Sequence, residues 1–242
     1  MKPFFFGDSQ RPLLGLHHPP SRGARRRCAV VICNPFGQEY LRAHRALSEL
    51  AHRLADGGFH VLRFDYYGCG DSAGESHEGT IEQWLRDIGA AADEVREASG
   101  SARVALVGLR LGASLAALLA AERKDIEHLV LWDPILDGAA YLRELQSSQE
   151  AWLRDHAHRG SPPRSAEPPR EALGFPIAPG VAASLDRLRL SGESWPASQV
   201  LVVDLRSFPG APVWSHADGL GRSLVPHGAL ESITSWLASA CP

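Results

Sequence analysis

Short apolar runs alternate with longer amphipathic stretches along most of this chain. "CAVVICNP" is apolar throughout, the pattern of a strand covered on both faces. "HVLRFDYYG", "RVALVGL", "HLVLWDP" and "QVLVVDL" read the same way. Between them lie helical patterns. In "EYLRAHRALSELAHRLADGG", Leu47, Leu50 and Leu54 share one face and Gly57-Gly58 ends the helix. "TIEQWLRDIGAAADEVREA" offers Thr80 as a cap and Ile81, Trp84, Leu85 and Ile88 on one face. "ALESITSWLAS" is the last helix, and residues 3–18, "PFFFGDSQRPLLGLHH", read as an antiparallel hairpin. This rhythm predicts an α/β fold: a mostly parallel sheet with right-handed crossovers and helices on both faces. Ligands in such sheets gather at the carboxyl ends of the strands.

Between Asp137 and Ser198 the rhythm breaks. "GAAYLRELQSSQEAWLRD" is helical, "RGSPPRSAEPPRE" is Pro-rich and charged with the composition of disorder, and "FPIAPGVAASLDRLRL" holds a short helix. The expected organisation is a core domain over 1–136 and 199–242, with 137–198 inserted above the strand ends as a small helical lid. A homodimer contact through Tyr141, Leu145 and Trp152 is the alternative for the same segment.

Composition narrows the function classes. In 242 residues the chain has 25 basic and 28 acidic side chains and a formal charge of −3, so no global field points to nucleic acid or an anionic membrane. No run approaches a membrane span, and "MKPFFFGDSQRPLLG" lacks a signal-peptide core. Cys28, Cys33, Cys69 and Cys241 show neither metal-ligand spacing nor disulfide-scaffold density. The expectation is a cytoplasmic protein with free thiols, no metal and no cofactor.

Several turns carry a resemblance. "RFDYYGCGDSAG" looks like a D-x-x-G-x-G-x-S loop through Asp65, Gly68, Gly70 and Ser72, "NPFGQE" follows the first parallel strand, and "GLRLGA" joins a strand to a small-residue helix. With "LVLWDPILDGAAYLREL", these segments resemble the α/β-hydrolase superfamily. Within it they are most similar to the serine-aminopeptidase-like hydrolases that include the exosortase-A-system-associated group, whose elbow often reads GLRLGA. The resemblance implies an α/β-hydrolase fold, an oxyanion-side loop contributing Phe36 and Gly37 with Leu111 beside them, and a nucleophile elbow.

The one literal G-x-S-x-G match, Gly70 to Gly74, follows a strand but no helix starts until about Thr80. A nucleophile elbow needs strand, sharp turn and helix in immediate succession. Ser72 is therefore assigned to a structural turn, and the elbow is Gly108-Leu109-Arg110-Leu111-Gly112, with Arg110 where the family has serine. A guanidinium at a helix N-terminus is repelled by the dipole unless an anion answers it, and it is neither nucleophile nor base. Two anions are candidates: an internal carboxylate, Glu39 or Asp133, or an acidic group of the substrate clamped by Arg110. The internal pair ranks first, because an unpaired buried arginine is costly.

For the rest of a triad the family pattern implies a histidine before the last helix, which His227 fits better than His216, and an acid that is Asp204 or Asp133. Each has a plain alternative: a helix-end histidine facing solvent, and a turn-forming Asp-Pro at Asp133. Cys33 and Cys69 are candidate substitute nucleophiles or small packing residues, and Ser114 lies too far down its helix. Three functions compete. The first is a non-covalent isomerase, epimerase, cyclase or lyase acting on a small-molecule or carrier-bound acyl or peptide-like substrate of anionic character. The second is an ester or thioester hydrolase using water or a substitute nucleophile, and the third is a non-catalytic ligand-binding protein.

Overall fold

A computed structural model describes residues 1–21, 26–156, 171–208, 214 and 225–241. In chain order the elements are β1 (Lys2–Phe6), β2 (Leu13–His18), β3 (Cys28–Cys33), α1 (Gln38–Asp56), β4 (His60–Phe64), α2 (Ile81–Ser99), β5 (Arg103–Leu109), α3 (Leu111–Glu122), β6 (Ile126–Trp132) and α4 (Gly138–His156). They continue with β7 (Glu171–Ala172), β8 (Phe175–Pro176), α5 (Pro179–Arg187), β9 (Gln199–Val203), a 3₁₀ turn (Leu205–Ser207) and α6 (His227–Ala240). Among the described residues, seven strands form one sheet in the order β1-β2-β4-β3-β5-β6-β9. The β1–β2 and β2–β4 pairs are antiparallel and the others parallel. The hairpin and the doubly covered parallel sheet are as the sequence pattern predicts.

The sheet separates two apolar layers. Alternate β3 residues Ala29, Val31 and Cys33 pack with α2 and α3, whereas Cys28, Val30 and Ile32 pack with α1 and α6. All six residues of β3 are buried, because helices cover both faces. Leu47, Leu50 and Leu54 of α1 are each no more than 1 % exposed. The Thr80 hydroxyl accepts the Gln83 N–H at 3.0 Å and so caps α2, satisfying one of the orphan donors at a helix start.

Segment 137–198 is tied into this core. Tyr141, Leu142 and Leu145 of α4 and Val181 and Leu185 of α5 are buried with the α2–α3 layer. Tyr141 and Leu145 are thus taken up by the chain's own core, which removes them from the dimer contact considered above. The Pro-rich stretch lies mostly outside the described residues. Among the described residues no helix is long and apolar enough to cross a membrane.

The loop after β4 bears out Ser72 as a turn residue. Its hydroxyl donates to the Asp65 carbonyl at 2.6 Å and accepts the Leu14 N–H at 2.8 Å. The Asp65 carboxylate in turn accepts the Asp71 N–H and the Tyr40 hydroxyl. A Cβ on Gly70, whose φ is +55°, would sit 2.1 Å from Asp65 Oδ2, so the glycine leaves the room that this carboxylate fills.

Candidate functional site

The elbow forms where the sequence pattern puts it. β5 ends at Leu109, α3 begins at Leu111, and Arg110 between them has φ 53° and ψ −120°. A positive φ on a non-glycine residue is strained by about 1–3 kcal/mol. Flanking contacts hold it there: the Arg110 N–H donates to the Trp132 carbonyl at 2.8 Å, and its carbonyl accepts from Ala113 at 3.0 Å. A Cβ on Gly112 would meet the Cys33 and Asn34 carbonyl oxygens at 2.3 and 2.4 Å. Glycine there lets α3 start hard against the end of β3, and the turn projects the Arg110 side chain at the carboxyl edge of the sheet.

The Arg110 guanidinium meets two carboxylates. Its Nε donates to Glu39 Oε1 at 2.8 Å, and its Nη2 donates to both Glu144 oxygens at 2.8 and 2.9 Å. The Tyr141 hydroxyl donates to the other Glu39 oxygen at 2.8 Å, and the Arg110 guanidinium carbon lies 5.4 Å from the Tyr141 ring centroid. Glu39 is 1 % exposed, Arg110 15 % and Glu144 39 %, so the cluster runs from the core out to solvent. Burial alone would lower the arginine, but the charges of Glu39 and Glu144 outweigh it and hold the guanidinium more firmly protonated than usual. Burial pushes the Glu39 carboxyl up, with the Arg110 charge and the hydrogen bonds from Arg110 and Tyr141 pulling against it.

Of the two internal carboxylates considered, Glu39 is the partner that touches the guanidinium, and Glu144 takes the second place instead of Asp133. Asp133 Oδ1 accepts the Leu205 N–H at 3.0 Å, and the Asp133 N–H donates to the Val203 carbonyl at 2.8 Å. Its carboxylate joins the exits of β6 and β9 while lining a pocket of about 480 Å³ with Arg110, Glu144, Val202, Asp204 and Trp214. Burial raises the Asp133 carboxyl above the ordinary range, against the pull of the Leu205 N–H and the Arg110 charge.

Asp204 faces the rim of that pocket and is engaged by Arg206, whose Nη2 donates at 2.9 Å while the backbone N–H of the same residue donates to Oδ1 at 2.9 Å. Those bonds lower the Asp204 carboxyl, so this group turns its acceptors to a 3₁₀ turn and an exposed arginine rather than to a histidine. His227 is not at the pocket. It is the first residue of α6, and its Nδ1 accepts from Arg53 Nη2 at 3.0 Å. Arg53 stands in the last turn of α1, fourteen residues beyond Glu39. At about 1.5 Å of rise per residue that is about 21 Å along the helix. The expected His227–Asp204 or His227–Asp133 relay is therefore corrected: helix packing carries the histidine to the other end of α1. His216 lies outside the described residues.

Phe36, Gly37 and Leu111 line a different cavity, of about 120 Å³, on the other side of the elbow, walled by Tyr66, Trp84 and Phe175. Phe36 and Trp84 rings lie 5.7 Å apart. Gly37, with φ 58°, starts α1 and aims Glu39 inward. Of the candidate thiols, Cys33 is fully buried with its thiol pushed well up by burial, and burial raises Cys69 to about 12. Neither is an activated thiolate. The Ser114 hydroxyl donates to the Ile135 carbonyl at 2.7 Å and accepts the Ile135 N–H at 2.9 Å, which commits it to the core.

Tyr141 and Glu144 are the site residues that sequence reasoning did not single out for chemistry. They stand three apart on the helical pattern of α4, hence on one face, which is the signal that was available.

This arrangement of sheet, elbow and loops can be set beside known proteins. A family model described as serine aminopeptidase, S33, matches residues 24–172. The chain belongs to that family. Among solved structures, Est1E from Butyrivibrio proteoclasticus, one structure of which carries ferulic acid, is 17 % identical with a TM-score of 0.63, over 98 % of this chain and 97 % of that one. A putative hydrolase from Agrobacterium vitis S4 is 20 % identical with a TM-score of 0.60, over 100 % and 98 % of the two chains. An α/β serine hydrolase without lid from Xanthomonas campestris is 17 % identical with a TM-score of 0.57, over 100 % and 95 %. No curated protein matches this chain. The α/β-hydrolase fold of this S33 family member is thereby established.

Proposed function

We propose that this S33-family protein acts without an acyl-enzyme, as a non-covalent acid–base catalyst on a small-molecule or carrier-bound acyl or peptide-like substrate. The observation that carries the reading is Arg110 at the elbow, fixed by three hydrogen bonds to Glu39 and Glu144. An arginine so held supplies neither nucleophile nor base. The apolar part of the substrate occupies the cavity of Phe36, Leu111 and Trp84. Asp133, with its carboxyl raised by burial, is the proton-transfer group in the adjoining pocket. The reaction class is then isomerisation, epimerisation, cyclisation or lysis.

The anionic character expected of the substrate is replaced in this proposal. Two carboxylates already take up the Nε and Nη2 donors of Arg110, which leaves the guanidinium less able to clamp a further anion and suits a neutral acyl group. A second reading, ester or thioester hydrolysis by water directly, draws on the solved neighbours described as hydrolases. In it Asp133 takes the proton of the attacking water.

The test combines a fluorophosphonate probe with nitrophenyl acyl esters and acyl thioesters. The expected result is no stoichiometric phosphonylation and no burst of nitrophenol. Labelling at one serine per chain, or a burst equal to the enzyme concentration, overturns the proposal. Steady ester turnover that resists the probe but is lost in Asp133→Asn selects the direct-water reading. Expected isomerase-type activity is sought as proton exchange with D₂O on candidate acyl substrates, lost in the same variant.

A further inference from the structure

At the end of the sheet opposite the elbow, three elements deliver metal-binding side chains to one point. Cys28 opens β3, His128 lies near the start of β6, and Cys241 follows α6. One ligand atom of each lies within 4.8 Å of the others. All three residues are buried, at 2 %, 1 % and 2 % exposure. The Cys28 thiol donates to the Ala29 carbonyl at 3.5 Å.

The imidazole shows an independent sign of a ligand. His128 Nε2 lies 3.1 Å from the Ala240 carbonyl. A carbonyl accepts only from N–H, so the proton sits on Nε2 and Nδ1 keeps its lone pair. Nδ1 is buried and has no hydrogen-bond partner among the described residues. A ring N–H held by a backbone carbonyl, with the other nitrogen bare, is how proteins prepare a histidine for a metal. Arg26 fixes the third ligand from behind: its Nη1 donates to the Ala238 and Cys241 carbonyls at 2.7 and 3.0 Å.

We propose that Cys28, His128 and Cys241 bind one Zn²⁺, tethering the end of α6 to the sheet. Two thiolates and a neutral imidazole leave the ion with no net charge, the form that burial penalises least. Binding releases the two thiol protons to solvent. Zinc bond lengths of about 2.3 Å to sulfur and about 2.0 Å to nitrogen require ligand atoms about 3.5–3.8 Å apart. Ligand atoms that now lie within 4.8 Å of one another reach that spacing by small rotations of the Cys28 and Cys241 side chains, with the Cys241 backbone held by Arg26 and Leu237. A single water taken in with the ion fills the fourth position.

The test uses the full chain, reduced and treated with chelator, titrated with Co²⁺ and then Zn²⁺. The expected result is a thiolate-to-cobalt charge-transfer band that saturates at one equivalent and is bleached by Zn²⁺. Cys241→Ser, placed outside α6, and His128→Gln are each expected to weaken binding at least about tenfold, while Cys69→Ser leaves it unchanged. A folded protein that gives no band, or a band that survives in Cys241→Ser, overturns the site. So does loss of two hydrogens by mass on mild oxidation without any metal uptake, which makes Cys28 and Cys241 a redox pair instead.

Discussion

Each end of α3 carries an arginine, and the two are accommodated in opposite ways. Arg110 precedes the helix, where the dipole repels a cation, and is largely buried; Arg123 follows it, where the dipole favours a cation, and lies near the surface. Arg110 is held by one buried and one half-exposed carboxylate from α1 and α4. Arg123 donates to Asp93 and Asp125, at 2.8 and 2.6 Å through Nη2, and Arg96 shares the same two acids. The lesson is that a similar set of hydrogen bonds has different weight in the two places. Solvent screens the outer network, whereas the inner one leaves uncompensated charge in the core when a member is removed.

The sharpest way to break this comparison is Arg110→Met. Left without its cation, Glu39 is a buried charge, and the expected loss is about 3–5 kcal/mol in urea unfolding, with an unchanged slope. Combining it with Glu39→Leu is expected to restore most of that loss, since apolar replacement of a buried pair is often neutral. A single-variant loss below about 1 kcal/mol would place Arg110 in the surface class. Tyr141→Phe comes next. It deprives a buried carboxylate oxygen of its hydroxyl donor and is expected to cost about 2 kcal/mol by the same measurement.

At the outer end, Arg123→Gln is expected to cost less than about 1 kcal/mol, a difference from wild type that shrinks as salt rises. A pH titration sharpens the same point at the smallest scale. Hydrogen bonds from Arg123 hold the Asp125 carboxyl down at about 2, below an unfolded value of about 3.9. Its contribution is therefore present above about pH 4 and lost as the pH falls toward 2. Asp125→Asn is expected to remove that acid-side slope from the thermal midpoint, and an unaltered slope would detach Asp125 from the network.

Much of the scaffold was legible because local pattern and global burial agree. Uniformly apolar β3, the Leu47–Leu50–Leu54 stripe and the Thr80 cap each follow from periodicity or side-chain chemistry within a few residues. The elbow was legible for the same reason, since strand, glycine-flanked turn and helix are contiguous. The histidine was not. Its position before the last helix says nothing about which end of α1 that helix meets, and packing sets His227 on Arg53. Glu144 was missed because the one signal for it, its place three residues after Tyr141 on α4, does not say which element that face meets. Only the folding of α4 over the elbow brings it to Arg110.

The sequence by itself determined an α/β-hydrolase sheet and an elbow that presents arginine. Both are written in contiguous residues whose sterics and apolar periodicity act locally. The tertiary structure decided which charges answer that arginine and how the cysteines group. Spacing along the chain argued against a metal site, yet Cys28, His128 and Cys241 converge because parallel strand register and the docking of α6 join residues far apart in sequence. Convergence of that kind depends on distances through space, which linear spacing does not encode.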